Sequence, residues 1–261
     1  MKKIATILLA LTMVLSLAAC GGTKPVEKTQ INVFAAASMT ETLTEIEKKY
    51  EATHGDVDLV FTFDSSGTLK TQIEEGAVCD LFISAAPKQM NQLEELNMVN
   101  KDTRVDLLEN KVALCVAEGN PADIATFDDL VHLLLAGNVL LAVGNADVPV
   151  GQYTQKIFTY YGLDEEALAG CLTYGSNVKE VTTAVVEKTV DCGIIYATDA
   201  FSAGLTPVDT ATADMCGRVI YPAAVMSGAG HPDEAHTFLD YLKGADASAI
   251  FAGVGFTPLN G

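Results

Sequence analysis

Four times along this chain a short apolar, largely β-branched run stops and an amphipathic helical pattern begins. The stops are Ser38, Ser66, Val150 just after Pro149, and Val178 just after Asn177. The start of a helix leaves its first backbone N–H groups unpaired and carries a partial positive charge, so each junction can hold an anion. One such junction is commonplace. Four of them, with hydroxyls at Ser38, Ser66 and Tyr196, form a set of neutral donors suited to one small oxyanion. The nearest cation in sequence is Lys179. Neutral donors around a desolvated oxyanion can select by size and protonation state, whereas a lysine holds any anion of like charge.

Each residue also has a plainer reading. Ser38 with Glu41, and Asn177 with Glu180, match the capping box, in which a small polar residue and an acid three positions on satisfy the helix start reciprocally. Read this way, Ser38 and Asn177 are caps, and Glu41 and Glu180 point away from any ligand. Ser65 and Ser66 suit a turn, and Pro149 suits a first helical turn. Tyr196, ending an apolar run, reads as a half-buried aromatic with its hydroxyl at the surface.

The elements that must carry these residues follow from periodicity. Ile31–Ala35 predicts a strand, and Met39, Leu43, Ile46 and Tyr50 then mark one face of a helix that ends by Gly55. Val57–Phe63 is a second strand, Leu69 and Ile73 mark a short helix, and Leu81–Ile83 is a third strand. A helix is expected around Met90 to Leu96. A second series begins at Lys111–Ala117, with strands at Val139–Val143, Leu172–Tyr174 and Gly193–Tyr196 and helices at Gly151–Tyr161 and Val178–Lys188. The run Arg218–Met226 crosses back, and the tail from Asp233 is helical, with Ala235, Phe238, Leu239 and Leu242 on one face. Alternation of this kind implies parallel sheets with helical crossovers.

The bulk numbers fit a well-packed chain. Of 261 residues, 49% are hydrophobic and 19% charged, which supplies ample core. The formal charge of -18 argues against nucleic acid or an anionic membrane held through a basic surface. It also sets a problem for an anion binder. At the N-terminus, Lys2 and Lys3 precede an uncharged apolar stretch from Ile4 to Ala19, ending Leu17-Ala18-Ala19-Cys20. That ending resembles the lipobox of bacterial lipoproteins, which implies a signal peptide over residues 1–19 and a lipid anchor on Cys20. Residues 20–30 then read as a polar tether. Cys79, Cys115, Cys171, Cys192 and Cys216 are widely spaced with no Cys-x-x-Cys pair, so neither zinc nor a redox motif is signalled; mostly free thiols are expected.

Longer segments resemble a known family. Val33-Phe34-Ala35-Ala36-Ala37-Ser38, Phe63-Asp64-Ser65-Ser66-Gly67-Thr68-Leu69 and Cys79-Asp80-Leu81-Phe82-Ile83-Ser84-Ala85 are its most specific pieces. Gly193-Ile194-Ile195-Tyr196-Ala197-Thr198-Asp199-Ala200, and Phe238 to Gly244 with Gly255-Phe256, complete the pattern. Over Ile31 to Pro258 the chain resembles the extracytoplasmic molybdate-binding proteins of ABC importers. The resemblance implies an α/β, two-lobed type II periplasmic-binding-protein fold. Each lobe would be a mainly parallel sheet flanked by helices, with two crossover strands as hinge. Lobe I is expected over 31–109 plus 222–261, and lobe II over 110–221. The anion contacts carried over fall on Ser38, Ser66, Val150, Val178 and Tyr196, with the two valines acting through backbone N–H groups. Two departures are noted: Gly67, where some relatives carry a third serine, and Val150, often alanine.

The function implied is capture of molybdate or tungstate outside the cytoplasmic membrane and delivery to an ABC permease. The protein would be a monomer without catalytic residues, cofactor or bare metal. The alternatives are another small anion, such as sulfate or a carboxylate, or a secreted hydrolase with Ser38 or Ser66 as nucleophile. The last needs a positioned base, and none of His54, His132, His231 and His236 abuts a junction.

Overall fold

A computed structural model describes residues 28–259. The expected signal peptide, the expected lipid anchor at Cys20 and most of the expected tether lie outside the described residues. The tether's expected end is corrected, because the first strand, β1 (Thr29–Ala36), begins inside it. Pairing of Thr29 and Gln30 with Val57 and Asp58 extends the ladder two residues earlier than the apolar run indicates.

Two sheets organise the chain. The first contains β1, β2 (Val57–Asp64), β3 (Leu81–Ile83), β4 (Val105–Asn110), β10 (Val219–Val225) and β11 (Thr257–Pro258), in the order β11-β4-β10-β3-β1-β2. The second contains β5 (Val112–Val116), β6 (Leu141–Gly144), β7 (Leu172–Gly175), β8 (Cys192–Tyr196) and β9 (Asp209–Thr210), in the order β7-β6-β8-β5-β9. The chain passes from one sheet to the other at Lys111 and returns between β9 and β10.

Helices cover both faces of the first sheet. Along β1, Ile31, Val33 and Ala35 join α1 (Thr40–Thr53) and α9 (Pro232–Lys243) in one core, through Leu43, Ile46, Phe238 and Leu239. Phe34 points the other way, into a smaller core with Leu69 and Ile73 of α2 (Ser66–Glu74) and Met90 and Leu93 of α3 (Pro87–Glu95). Alternate residues of a strand face opposite sides, so a strand buried on both reads as a continuous apolar run. The remaining helices are α4 (Phe127–Ala136), α5 (Pro149–Tyr160), α6 (Val178–Val186), α7 (Ala197–Ser202), α8 (Ala213–Cys216) and α10 (Ala245–Gly253).

The sheets are mixed rather than mainly parallel. β1 runs parallel to β2 and β3, and β6 to β7 and β8. The other pairings are antiparallel: β10 with β3 and β4, β11 with β4, and β5 with β8 and β9. Parallel neighbours come from strand–helix–strand crossovers. The antiparallel ones involve the strands that enter or leave a sheet at the crossings.

Candidate anion-binding site

The carboxyl ends of β1, β2, β6, β7 and β8 point toward one small, tight cavity of about 10 Å³ between the two sheets. Its walls include Ser38, Ser66, Val150, Val178 and Tyr196, so all five residues picked from the sequence meet in one place. α/β folds gather ligands at such strand ends.

Ser66 is the first residue of α2, and Ser65 is its cap. The Ser65 hydroxyl accepts from the Thr68 N–H at 3.1 Å. The same arrangement recurs at α6, where Asn177 Oδ1 accepts from the Glu180 N–H at 3.1 Å. In both helices the cap satisfies the third N–H and leaves the first without a partner inside the helix. α5 begins with Pro149, which has no N–H, so Val150 carries the first donor there.

Ser38 corrects the capping-box reading. It sits in the middle of a single 3-10 turn, Ala37–Met39, and α1 is preceded by Met39 with no side-chain cap. The Ser38 hydroxyl lies instead 3.0 Å from Tyr221 Oη, far away in sequence. The second box holds in part: the Glu180 carboxylate accepts from Ser176, one residue before the cap. Ser66 Oγ accepts from the Ala85 N–H at 2.9 Å.

Tyr196 also differs from expectation. It is 1% exposed, and its hydroxyl is buried with no hydrogen-bond partner among the described residues. A buried hydroxyl left unpaired costs about 1–3 kcal/mol, which a ligand in the cavity would offset. Burial, with Tyr221, Tyr153 and Asp199 nearby, holds this phenol well above its ordinary range, so it remains a neutral donor. The one charged residue on the cavity wall is Asp64, whose carboxylate is turned onto the Ser65 N–H at 2.6 Å. No histidine is among the described residues that line the cavity, and the Asp64 carboxylate is engaged by the Ser65 N–H rather than by Ser38 or Ser66. A wider, open groove between α3 and α5 carries Lys88, Lys156 and Arg218.

Sequence reasoning missed the residues that span the cleft. Lys179 of α6 meets Glu41 of α1 with both carboxylate oxygens at 2.8 Å, and lies 3.2 Å from Asp199 Oδ1. Burial pushes the Asp199 carboxyl up to about 6, against the pull of Lys179. Burial works against the Lys179 charge too, but Asp199 and Glu41 outweigh it and raise its pKa. Gly67 approaches the second lobe closely: a Cβ built there would lie 2.3 Å from the Asp147 carbonyl oxygen. The only sequence signal for Gly67 was its departure from the family pattern.

The five remaining cysteines are all buried and free. Burial pushes the thiols of Cys79, Cys115 and Cys192 up to about 12, so they act as small apolar side chains.

The family described as bacterial extracellular solute-binding protein matches residues 31–257. The chain belongs to that family. Among relatives, it is 32% identical to a "Putative ABC transporter substrate-binding lipoprotein YvgL" of Bacillus subtilis, covering 98% of both chains. It is 34% identical to "Molybdate-binding protein ModA" of Haemophilus influenzae, over 87% of this chain and 90% of that one. A solved structure, the "substrate binding domain of putative molybdenum ABC transporter from Clostridium difficile", aligns with a TM-score of 0.65 at 31% identity. That alignment covers 87% of this chain and 98% of the other. As a member of this family, the chain is an extracytoplasmic solute-binding component of an ABC importer, with the two-lobed fold such proteins share.

Proposed function

We propose that this solute-binding protein captures molybdate or tungstate between its lobes and delivers it to an ABC permease. The observation that carries the reading is the cavity itself: neutral donors from five strand ends converge, and the Tyr196 hydroxyl is buried there without a partner among the described residues. Ser38, Ser66 and Tyr196 would donate hydroxyls, and Ser66, Val150 and Val178 backbone N–H groups. The relatives named for molybdate favour that anion over sulfate or a carboxylate. Catalysis plays no part in this reading: both serine oxygens are committed to structural partners and no base faces them.

The same proposal takes residues 31–109 with 222–261 as lobe I and 110–221 as lobe II, shifted at the two crossings so that Asn110 of β4 and Val219–Tyr221 of β10 go with the first sheet. It has the protein acting as a monomer, tethered to the outer face of the membrane by a lipid on Cys20. Calorimetric titration of the chain from Thr23 with molybdate, tungstate, sulfate and phosphate tests the ligand. Molybdate and tungstate should bind, and ligand at a hundred times its Kd should stabilise the fold by about 2.7 kcal/mol. Equal responses to phosphate and molybdate refute the proposed site.

A further inference from the structure

The cavity's hydroxyls are not equally free to choose between giving and accepting a proton. A serine can do either, and a site that must refuse protonated oxyanions has to remove that choice. At Ser66 the backbone narrows it: the Ala85 N–H can only donate, so it takes one of the two lone pairs and leaves the Ser66 proton to be given elsewhere. At Ser38 the partner is another hydroxyl, Tyr221 Oη at 3.0 Å, and the direction of that bond must be set from further away.

It is set by Asn110. Asn110 Oδ1 accepts from the Lys111 N–H at 2.8 Å, which fixes the amide's orientation. Its Nδ2 then gives one proton to Thr198 Oγ1 at 2.9 Å and the other to Tyr221 Oη at 3.1 Å. Tyr221 is fully buried, so its own proton must find an acceptor, and Ser38 Oγ is in reach. Burial, with Asp199 nearby, holds the Tyr221 phenol well above its ordinary range, so that proton stays in place. The chain of bonds runs Asn110 to Tyr221 to Ser38, and the Ser38 proton is left for the cavity.

We infer that Tyr221, oriented by Asn110, is a specificity-determining positioning residue: it fixes Ser38 as a donor and so makes the site refuse oxyanions that carry a proton. The inference rests on the oxyanion reading of the cavity. A ligand oxygen bearing hydrogen would meet the Ser38 proton head-on, whereas a fully deprotonated dianion receives it. Removing the Tyr221 hydroxyl frees Ser38 to rotate and accept.

The test is Tyr221→Phe, with molybdate titrated alone and against a large excess of phosphate. Molybdate affinity should fall less than about tenfold, because Ser38 can still donate. The preference for molybdate over phosphate should narrow by about tenfold or more, the scale of one hydrogen bond to a charged group. In a Ser38→Ala background, adding Tyr221→Phe should leave that preference unmoved, since the effect passes through Ser38. An unchanged preference in the single variant, or a further narrowing in the double one, overturns the inference. Should Tyr221→Phe fail to fold, Asn110→Ala must narrow the preference in the same direction, and an unchanged ratio there is equally fatal. A wild-type protein that does not bind molybdate refutes the oxyanion reading itself, a result distinct from either.

Discussion

Replacing Gly67 with alanine should separate affinity from stability. Gly67 is the second residue of α2, on the first lobe, and faces the loop before α5 on the second. An added Cβ would sit 2.3 Å from the Asp147 carbonyl oxygen and 3.1 Å from its carbon, where ordinary contact starts near 3.4 Å. Both partners are backbone, so no rotamer change relieves the clash, and the lobes must part by about 1 Å. A donor at about 2.9 Å from the anion would then stand near 3.9 Å, outside hydrogen-bond range. Losing one or two bonds to a charged ligand, at about 1.5–3 kcal/mol each, weakens binding by roughly tenfold to several hundredfold or more. The unliganded protein should not suffer, because alanine is favoured over glycine in a helix by up to about 1 kcal/mol. Calorimetry should therefore show weaker molybdate binding by Gly67→Ala, while scanning melts show an unliganded Tm equal to or above wild type. Wild-type affinity in the variant would refute the claim that this approach sets closure.

Ser66→Ala should cost about 1.5–3 kcal/mol of molybdate binding. Val178→Ala should cost little binding, because Val178 contributes its backbone; it lowers stability instead, since the side chain is buried. Equal binding losses from the two would contradict the assignment. Asp199 has a folded pKa raised from 3.8 to about 6, so between those values the folded state holds more proton than the unfolded chain. Stability from this group therefore falls as pH rises from about 4 to about 6 and then levels. Urea unfolding of Asp199→Asn should lack that decline, and an unaltered slope would contradict it. Finally, raising sodium chloride should leave the association rate unchanged or increase it, because an acidic protein repels a dianion until salt screens the repulsion. A steep fall in stopped-flow association rate would reveal a basic steering patch and refute capture by neutral donors.

Legibility in the sequence tracked the range of the interactions. Strands such as Leu81–Ile83 and the helix over Val178–Val186 announce themselves through local periodicity; four of the five cavity residues stand at strand-to-helix junctions, and Tyr196, at the end of an apolar run, joined them through the family resemblance. Ser38 shows where the local rule loses. Its sequence matches a capping box, yet a tyrosine 183 positions away takes the hydroxyl, and α1 starts uncapped. Tyr196 was expected to expose its hydroxyl because a strand's end is usually at a surface; here that end is covered by the first lobe, with Tyr221 packed edge-on against its ring. Tyr221 and Asn110 gave no signal at all, since an aromatic in an apolar strand and an amide at a strand end are ordinary in sequence. Strand direction was similarly hidden: nothing local in Val219–Val225 says that it runs antiparallel to both neighbours.

An acidic protein that holds a dianion poses an energetic question, and the fold suggests its answer. Long-range repulsion from the surface is screened within about 8 Å at physiological ionic strength, so it acts on approach more than on the bound state. Inside the cleft, interactions with the anion are barely screened, and each donor there counts for more than it would in water. Among the described residues no lysine or arginine lines the cavity, and Lys179, beside Val178, is shared between Glu41 and Asp199 and so ties the lobes together. Asp64, on the cavity wall, is turned onto a backbone N–H. A free lysine in the cavity would strengthen binding for every small anion alike and erase discrimination by protonation. Neutral donors give up that attraction and keep the selectivity, because each of them distinguishes an oxygen that can accept from one that carries a proton.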